Sequence, residues 1–459
     1  MTTAIKPIFL LIFILFYFSS FSQLKTVYDF QKDDSGLKKA YYGQALENNN
    51  KLINSLKEYK KDYQEIYNAR FKEVADLLQS SRSVTDQQAH NYLQAVLKKI
   101  VEANPELKAK EVRLIFSRDW WPNAYSMGEG TLTVNAGLMV FLDNEAELVY
   151  VICHELSHYY LEHSDRAIKK NVETYNSPAF QEELKRLSKQ EYGANKQLEA
   201  MLKKFAFSSR QHSRENESEA DMQAFIFMKK TGYDCNAITT CLQLLDSIDE
   251  KFLYKPVDVE QAFNFSAYPF KKKWIQKESS IFSAMKNDES PLTKKEKDSL
   301  KTHPDCSIRI AKLKDQISKE NVGKKFIVDE TLFQKLKKDF FIELTEEQFD
   351  RKNMSRNLYY SLQILQSGEN TPFAVLSIAR CLNYIYDSQK DHQVGTVTDK
   401  ETRGYPEDYN LLLRMLDKLR LEEIANLNYN FCIKYEGQLS LYKGFNEELQ
   451  KARKNKSLY

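Results

Sequence analysis

Hydrophobic and polar positions change their spacing several times along the chain, and each change predicts a different element. Ile8 to Phe18 is an unbroken apolar run. From Leu24 to Ser81 apolar residues are scattered among Lys, Glu and Tyr with no proline, and NKLINSLKEYKKDYQEIYNARFKEVADLL reads as helix. A second helix is predicted from Asp86 to Asn104, with Tyr92, Val96, Ile100 and Val101 on one side and Pro105 ending it. EVRLIFS then alternates, Val112, Leu114 and Phe116 against Arg113 and Ser117, with only Ile115 out of pattern, which predicts a strand. RDWWPNAYSMGEG carries Pro122, Gly128 and Gly130 and reads as a loop before a second strand in TLTVNAGLMV. DNEAELVYVICHELSHYYLEH predicts one long helix, opened by a capping box of Asn144 and Glu147 and patterned by Leu148, Val151, Ile152, Leu156 and Tyr159. Ser164 to Arg214 is a charged, helical excursion, and RENESEADMQAFIFMKKTG is a helix closed by Gly232.

Lys286 to Lys301 is lysine-rich and reads as an exposed linker, and beyond Lys324 the pattern is helical to the end. There, helix pairs resemble tetratricopeptide hairpins, but without a self-similar repeat a plain helical domain is expected. The expected organisation is therefore a leader over 1–22, an N-terminal helical segment over 23–83, a central domain over 84–320 and a helical C-terminal domain over 325–459. The fold class is α+β, predominantly helical, with a small antiparallel sheet beside the HELSH helix.

Composition narrows the function. Only 13 of 459 residues are glycine, against a usual share of about 7%, which suits a helix-rich chain with few tight turns. Basic and acidic residues nearly balance, 67 against 64, so no nucleic-acid partner is implied. Lys6 followed by Ile8 to Phe18, with Ser20 and Ser22 before Gln23, has the layout of a secretory signal peptide. The apolar run falls short of the ~20 residues a membrane span needs, so no stable span is expected after cleavage near Ser22-Gln23, an uncleaved anchor being the rival reading. An exported chain, periplasmic or extracellular, permits disulfides among its 6 cysteines. Cys235 and Cys241 are the nearest pair, with buried free thiols the alternative.

The candidate chemistry sits in VICHELSHYYLEH. Four residues turn a helix through about 400°, so His154 and His158 project from one face, one turn apart, as two imidazoles on one metal ion require. Glu155 is offset by about 100°, where it reaches a water at the ion rather than the ion itself. The alternative is a pair of histidines hydrogen-bonded inside a helical core. A third ligand is available in ENESEAD, where Glu217 and Asp221 share a face. One of them can bind the metal while the other accepts an N–H from a ligand histidine and fixes its tautomer. His212 competes with Glu217 for the third place, and His163, five residues beyond His158, is rotated off the ligand face.

HExxH followed by ExxxD resembles the gluzincin metallopeptidases. The ordered set NAY…G…TVNAGL…NEAELVYVICHELSH…ESEADMQA…HPDCSIRI is similar to the HtpX, Oma and CaaX-prenyl-protease group, from about Val84 to Lys314. That resemblance implies one zinc ion per chain on His154, His158 and Glu217, with Glu155 as general base and Asp221 behind a ligand histidine. It implies that His303 and Arg309, of a His-Pro-x-x-x-x-Arg motif with Pro304, stabilise the oxyanion. In some periplasmic relatives with a tetratricopeptide domain the corresponding histidine caps the zinc instead, and His303 can do either. Asn123, Ala124, Thr133 and Asn135 match the substrate-side edge, where an extended peptide pairs by its main chain. With only one apolar run, the chain is most like the soluble, exported branch. The expected function is zinc endopeptidase activity on proteins or peptides of the cell envelope, in protein quality control. The alternative is a gated or chaperone-like envelope protein that binds a partner through its C-terminal helices.

Overall fold

The computed structural model describes residues 25–28, 32–188, 214–247, 256–277, 306–402 and 405–459. Two antiparallel helices come first, α1 (Ser35–Ser55) and α2 (Lys60–Gln79). The single helix expected across this stretch is broken because Tyr59 takes the left-handed conformation, with φ 47°, between them. Helix α3 (Gln87–Ala103) follows, its first turn capped by the Asp86 carboxylate, which accepts from the amides of Gln88 and Ala89. Ala89, Tyr92, Leu93, Val96, Leu97 and Ile100 form its buried face.

Strands β1 (Ser83–Val84), β2 (Arg113–Ser117), β3 (Ala124–Ser126) and β4 (Thr131–Asn135) make one sheet in the order β1-β2-β4-β3. The sheet is mixed, which corrects the expectation of an antiparallel one: β2 and β4 run parallel, Leu114 opposite Leu132, while β3 pairs antiparallel with β4. The cause is the path of the chain. After β2 it reverses and runs back as β3 at the far edge. It then turns through Gly128 and Gly130, both at positive φ, and β4 inserts between the two earlier strands. A Cβ at Gly130 would lie 2.3 Å from the Glu111 carbonyl oxygen, so only glycine closes this turn.

Both faces of the sheet are covered. Leu114, Phe116, Leu132 and Val134 join the main core with α3 and the helix that carries the histidines. Ile115 points the other way, into a smaller cluster with Ala45, Val74, Leu77 and Leu78 of α1 and α2. Its break in the alternation is the mark of that second cover. Helix α4 (Ala136–Phe141) leads into α5 (Glu145–Tyr160). The Asn144 side chain caps α5 on the Glu147 amide, while the Glu147 carboxylate accepts from the amide of Asp143, one residue earlier than a capping box requires. The helix predicted to run through His163 ends at Tyr160; Glu162 is left-handed, with φ 57°, and α6 (His163–Asn176) starts anew.

Helix α7 (Pro178–Ser188), helix α8 over 214–229, α9 (Asn236–Ser247), α10 (Val259–Phe263) and α11 (Cys306–Ile317) complete the central part. Six further helices follow: α12 (Glu330–Asp350), α13 (Met354–Ser367), α14 (Thr371–Lys390), α15 (Glu407–Lys418), α16 (Leu421–Leu439) and α17 (Phe445–Lys456). They share one hydrophobic core with the central part, from Val84 to Ala452, and the Phe116 and Phe340 rings meet at 4.9 Å. All six cysteines are buried free thiols, Cys235 and Cys241 included. The leader and the lysine-rich linker lie outside the described residues. Among the described residues no helix is long and apolar enough to cross a membrane.

Candidate metal centre

Helix α5 is buried along both sides from Glu145 to Ser157, so any polar group on it must find a partner inside the protein. Helix α8 packs beside it through Ala220, Ala224, Phe225, Phe227 and Met228, all buried. The Tyr160 and Phe227 rings meet edge-on at 5.5 Å. This packing brings Glu217 and Asp221 of α8 against His154 and His158 of α5.

Three donor atoms converge. His154 Nε2 and His158 Nε2 lie 3.1 Å apart. Glu217 Oε2 is 3.5 Å from the first and Glu217 Oε1 is 3.4 Å from the second. Ligands about 2.0–2.1 Å from a tetrahedral zinc ion are separated by ~3.4 Å, and the three residues stand at such separations, the carboxylate turning one oxygen to each ring. These residues form the group among the described residues that could hold a metal ion. The donor chemistry, two imidazoles and one carboxylate, fits zinc.

The backs of the ligands are held by a buried network centred on Asp221. His154 Nδ1 is 2.9 Å from Asp221 Oδ1, and the Tyr150 hydroxyl donates to the same oxygen at 2.8 Å. Arg309 on α11 donates to Asp221 twice, through Nε and Nη2, each at 2.6 Å, and its Nη1 lies 3.1 Å from Glu217 Oε2. Burial opposes the charge on Asp221, yet hydrogen bonds from Arg309 and His154 hold its carboxyl well below the usual range. Burial likewise opposes a charged His154, but Asp221 and Glu217 outweigh it and push its pKa up to about 10. With the Glu217 carboxylate facing both Nε2 atoms, the point where the donors meet favours a positive charge. A proton on Nε2 answers that demand, and a divalent cation answers it with three ligands at once.

The expected site residues fall into three groups. Asp221 stands where the ExxxD spacing put it, beside His154, and Glu155 is buried on α5 next to the ligand face. Asn123 and Ala124 lie at the open sheet edge, β3. Thr133 and Asn135 do not: β4 is flanked by β2 and β3, both residues are buried, and Asn135 donates to the Trp121 carbonyl. Among the described residues no further strand pairs with the outer edge of β3. Its Asn123, Tyr125 and Met127 face β4, so alternation turns the amides and carbonyls of Ala124 and Ser126 outward. Arg309 also departs from expectation. Only 3% exposed, it is clasped to Asp221 and Glu217 and holds these carboxylates in place. His303 and Pro304 lie outside the described residues.

Two participants were missed in the sequence. Tyr150 is one turn before His154 on the same face of α5, and that spacing was the available signal. His163 was set aside as rotated off the face, yet its Nδ1 lies 2.8 Å from His158 Nδ1. The break at Glu162 folds it back.

A helix that contributes two histidines and a buried glutamate, with a neighbouring helix that contributes the third donor, has the make-up of a zinc peptidase site. The profile of peptidase family M48 matches residues 87–317, half the chain, and the chain belongs to that family. It is a zinc metalloprotease, a hydrolase whose substrates are proteins or peptides. A comparison with curated proteins returned no match.

Proposed function

We propose that this chain is an exported zinc endopeptidase that cleaves proteins of the cell envelope as part of their quality control. The observation that carries this reading is the donor triangle of His154, His158 and Glu217, with Glu155 on the same helix. A zinc ion held there supplies Lewis acidity, polarising a carbonyl and making water nucleophilic near neutral pH. Glu155 accepts the proton of the attacking water and returns it to the leaving amine. Asp221 accepts the Nδ1 proton of His154, which commits Nε2 to the ion. The substrate lies along β3 as an added strand, bonded to the outward groups of Ala124 and Ser126.

Main-chain pairing requires an extended segment and asks little of its side chains, which suits unfolded or damaged proteins of many sequences. The leader-like run from Ile8 to Phe18 supports an envelope location. The test is elemental analysis of purified protein together with cleavage of an unfolded protein substrate. One zinc per chain is expected. Glu155→Gln should keep the zinc and lower turnover by roughly 10²–10⁴-fold, the contribution of a positioned proton-transfer group. Absence of zinc, or full activity in Glu155→Gln, overturns the proposal. Loss of turnover without loss of envelope function in cells would favour a binding protein acting through the C-terminal helices.

A further inference from the structure

We propose that His163, backed by Glu219, is a positioning residue that fixes the tautomer and orientation of His158. This rests on the reading that His158 binds the ion through Nε2.

The geometry forms an unbroken chain. His158 Nδ1 and His163 Nδ1 are 2.8 Å apart. His163 Nε2 lies 3.2 Å from Glu219 Oε2, and Arg166 Nη2 donates to that same oxygen at 2.9 Å. The two rings stand nearly perpendicular, at 78° with centroids 4.8 Å apart. Proton placement along the chain follows from donor and acceptor logic. If Nε2 of His158 offers its lone pair to an ion, the ring proton is on Nδ1 and points at His163. His163 then accepts at Nδ1, so its own proton is on Nε2, aimed at Glu219. Glu219 accepts from both His163 and Arg166. Every group has one consistent role, and the ring of His158 is held from behind.

The arrangement answers the one at His154, where Asp221 does the same task directly. His163 is 4% exposed, so this is a built-in contact. It exists because α5 stops: Glu162 in the left-handed conformation starts α6 at an angle that returns His163 to the site. Glu217, Glu219 and Asp221 all come from α8, so that helix would supply one ligand and stand behind both ligand histidines.

The test measures zinc affinity by competition with a chromogenic chelator, the absorption spectrum of the cobalt-substituted protein, and urea unfolding of the metal-free protein. His163→Phe fills the ring's space but accepts no hydrogen bond. It should weaken zinc binding by about 10–100-fold and shift the cobalt bands, while the metal-free protein still unfolds in one cooperative transition at a somewhat lower urea midpoint. His163→Gln, which restores an acceptor, should recover part of the affinity. Glu219→Ala, at a half-exposed position that tolerates change, should weaken zinc binding by the lower end of that range. If His163→Phe fails to fold, Glu219→Ala decides alone. Wild-type protein that binds one zinc, beside variants that bind it within about two-fold as tightly, overturns this inference and leaves the metal centre intact. Wild-type protein that binds none overturns the metal centre itself.

Discussion

The two ends of helix α5 bury polar groups in opposite ways. At the N-terminal end Glu145 is fully buried, and its two oxygens accept from five protein donors. These are the Tyr92 and Tyr233 hydroxyls and the amides of Ile327, Val328 and Asp329. Glu147 beside it accepts from Thr240 Oγ1 and the Asp143 amide. At the C-terminal end the protein's hydrogen bonds grip the backs of the rings, at Nδ1, and the fronts face one another. A polar group whose partners are all protein is part of the scaffold, because nothing is left for a ligand to satisfy. Ring nitrogens and a carboxylate aimed at one another are reconciled by a proton or a metal ion placed between them. The same helix thus carries a joint to the C-terminal region and a site for chemistry, and the direction of the hydrogen bonds separates them.

The largest expected effect tests the grip on the rings. Arg309→Met removes the charge that clasps Asp221 and leaves that carboxylate buried with Tyr150 and His154. The variant should lose about 3–5 kcal/mol of stability, read from urea unfolding of the metal-free protein. Zinc affinity should fall as well, since Arg309 also touches Glu217. Were Arg309 an oxyanion donor, turnover would drop while unfolding stayed at the wild-type midpoint, and the two ends of α5 would no longer contrast as described.

Much of this was legible in the residues. His154 and His158 are placed by helical period alone, and α3 and α5 begin at residues whose side chains cap helices, Asp86 and Asn144. The break after Tyr160 was not legible, because Leu161 and Glu162 are ordinary helix formers with no Gly or Pro beside them. What accompanies Glu162 in its left-handed state is tertiary: Lys110 reaches its carboxylate at 3.2 Å, and His163 seats against His158. The position of β4 inside the sheet was hidden for a related reason. Thr131 and Thr133 look like the wet face of a strand, but they stand opposite Arg113 and Ile115 on the face that α1 and α2 cover, and the return of β3 that puts β4 inside is equally tertiary. The late arginine was tied to the site by its motif, but a motif gives proximity, not partners; its grip on Asp221 and Glu217 follows from how α11 packs.

The two smaller predictions probe the scaffold end. In Glu145→Gln the amide oxygen can keep the three donors now on Oε1, and the Tyr92 hydroxyl can rotate to accept from the new NH₂. The Asp329 amide cannot reverse and would face that NH₂ without an acceptor. The expected cost is about 1–3 kcal/mol in urea unfolding, the penalty for one buried donor left unsatisfied. Tyr92→Phe removes a single hydroxyl while Oε2 keeps the Asp329 amide, so it should cost only ~1 kcal/mol. Neither change touches an atom of the donor triangle, and zinc affinity and turnover per folded molecule should match wild type in both. If Tyr92→Phe altered zinc affinity despite its small effect on stability, the scaffold end and the metal end would be coupled along α5, and the contrast between them would have to be replaced by a single cooperative unit.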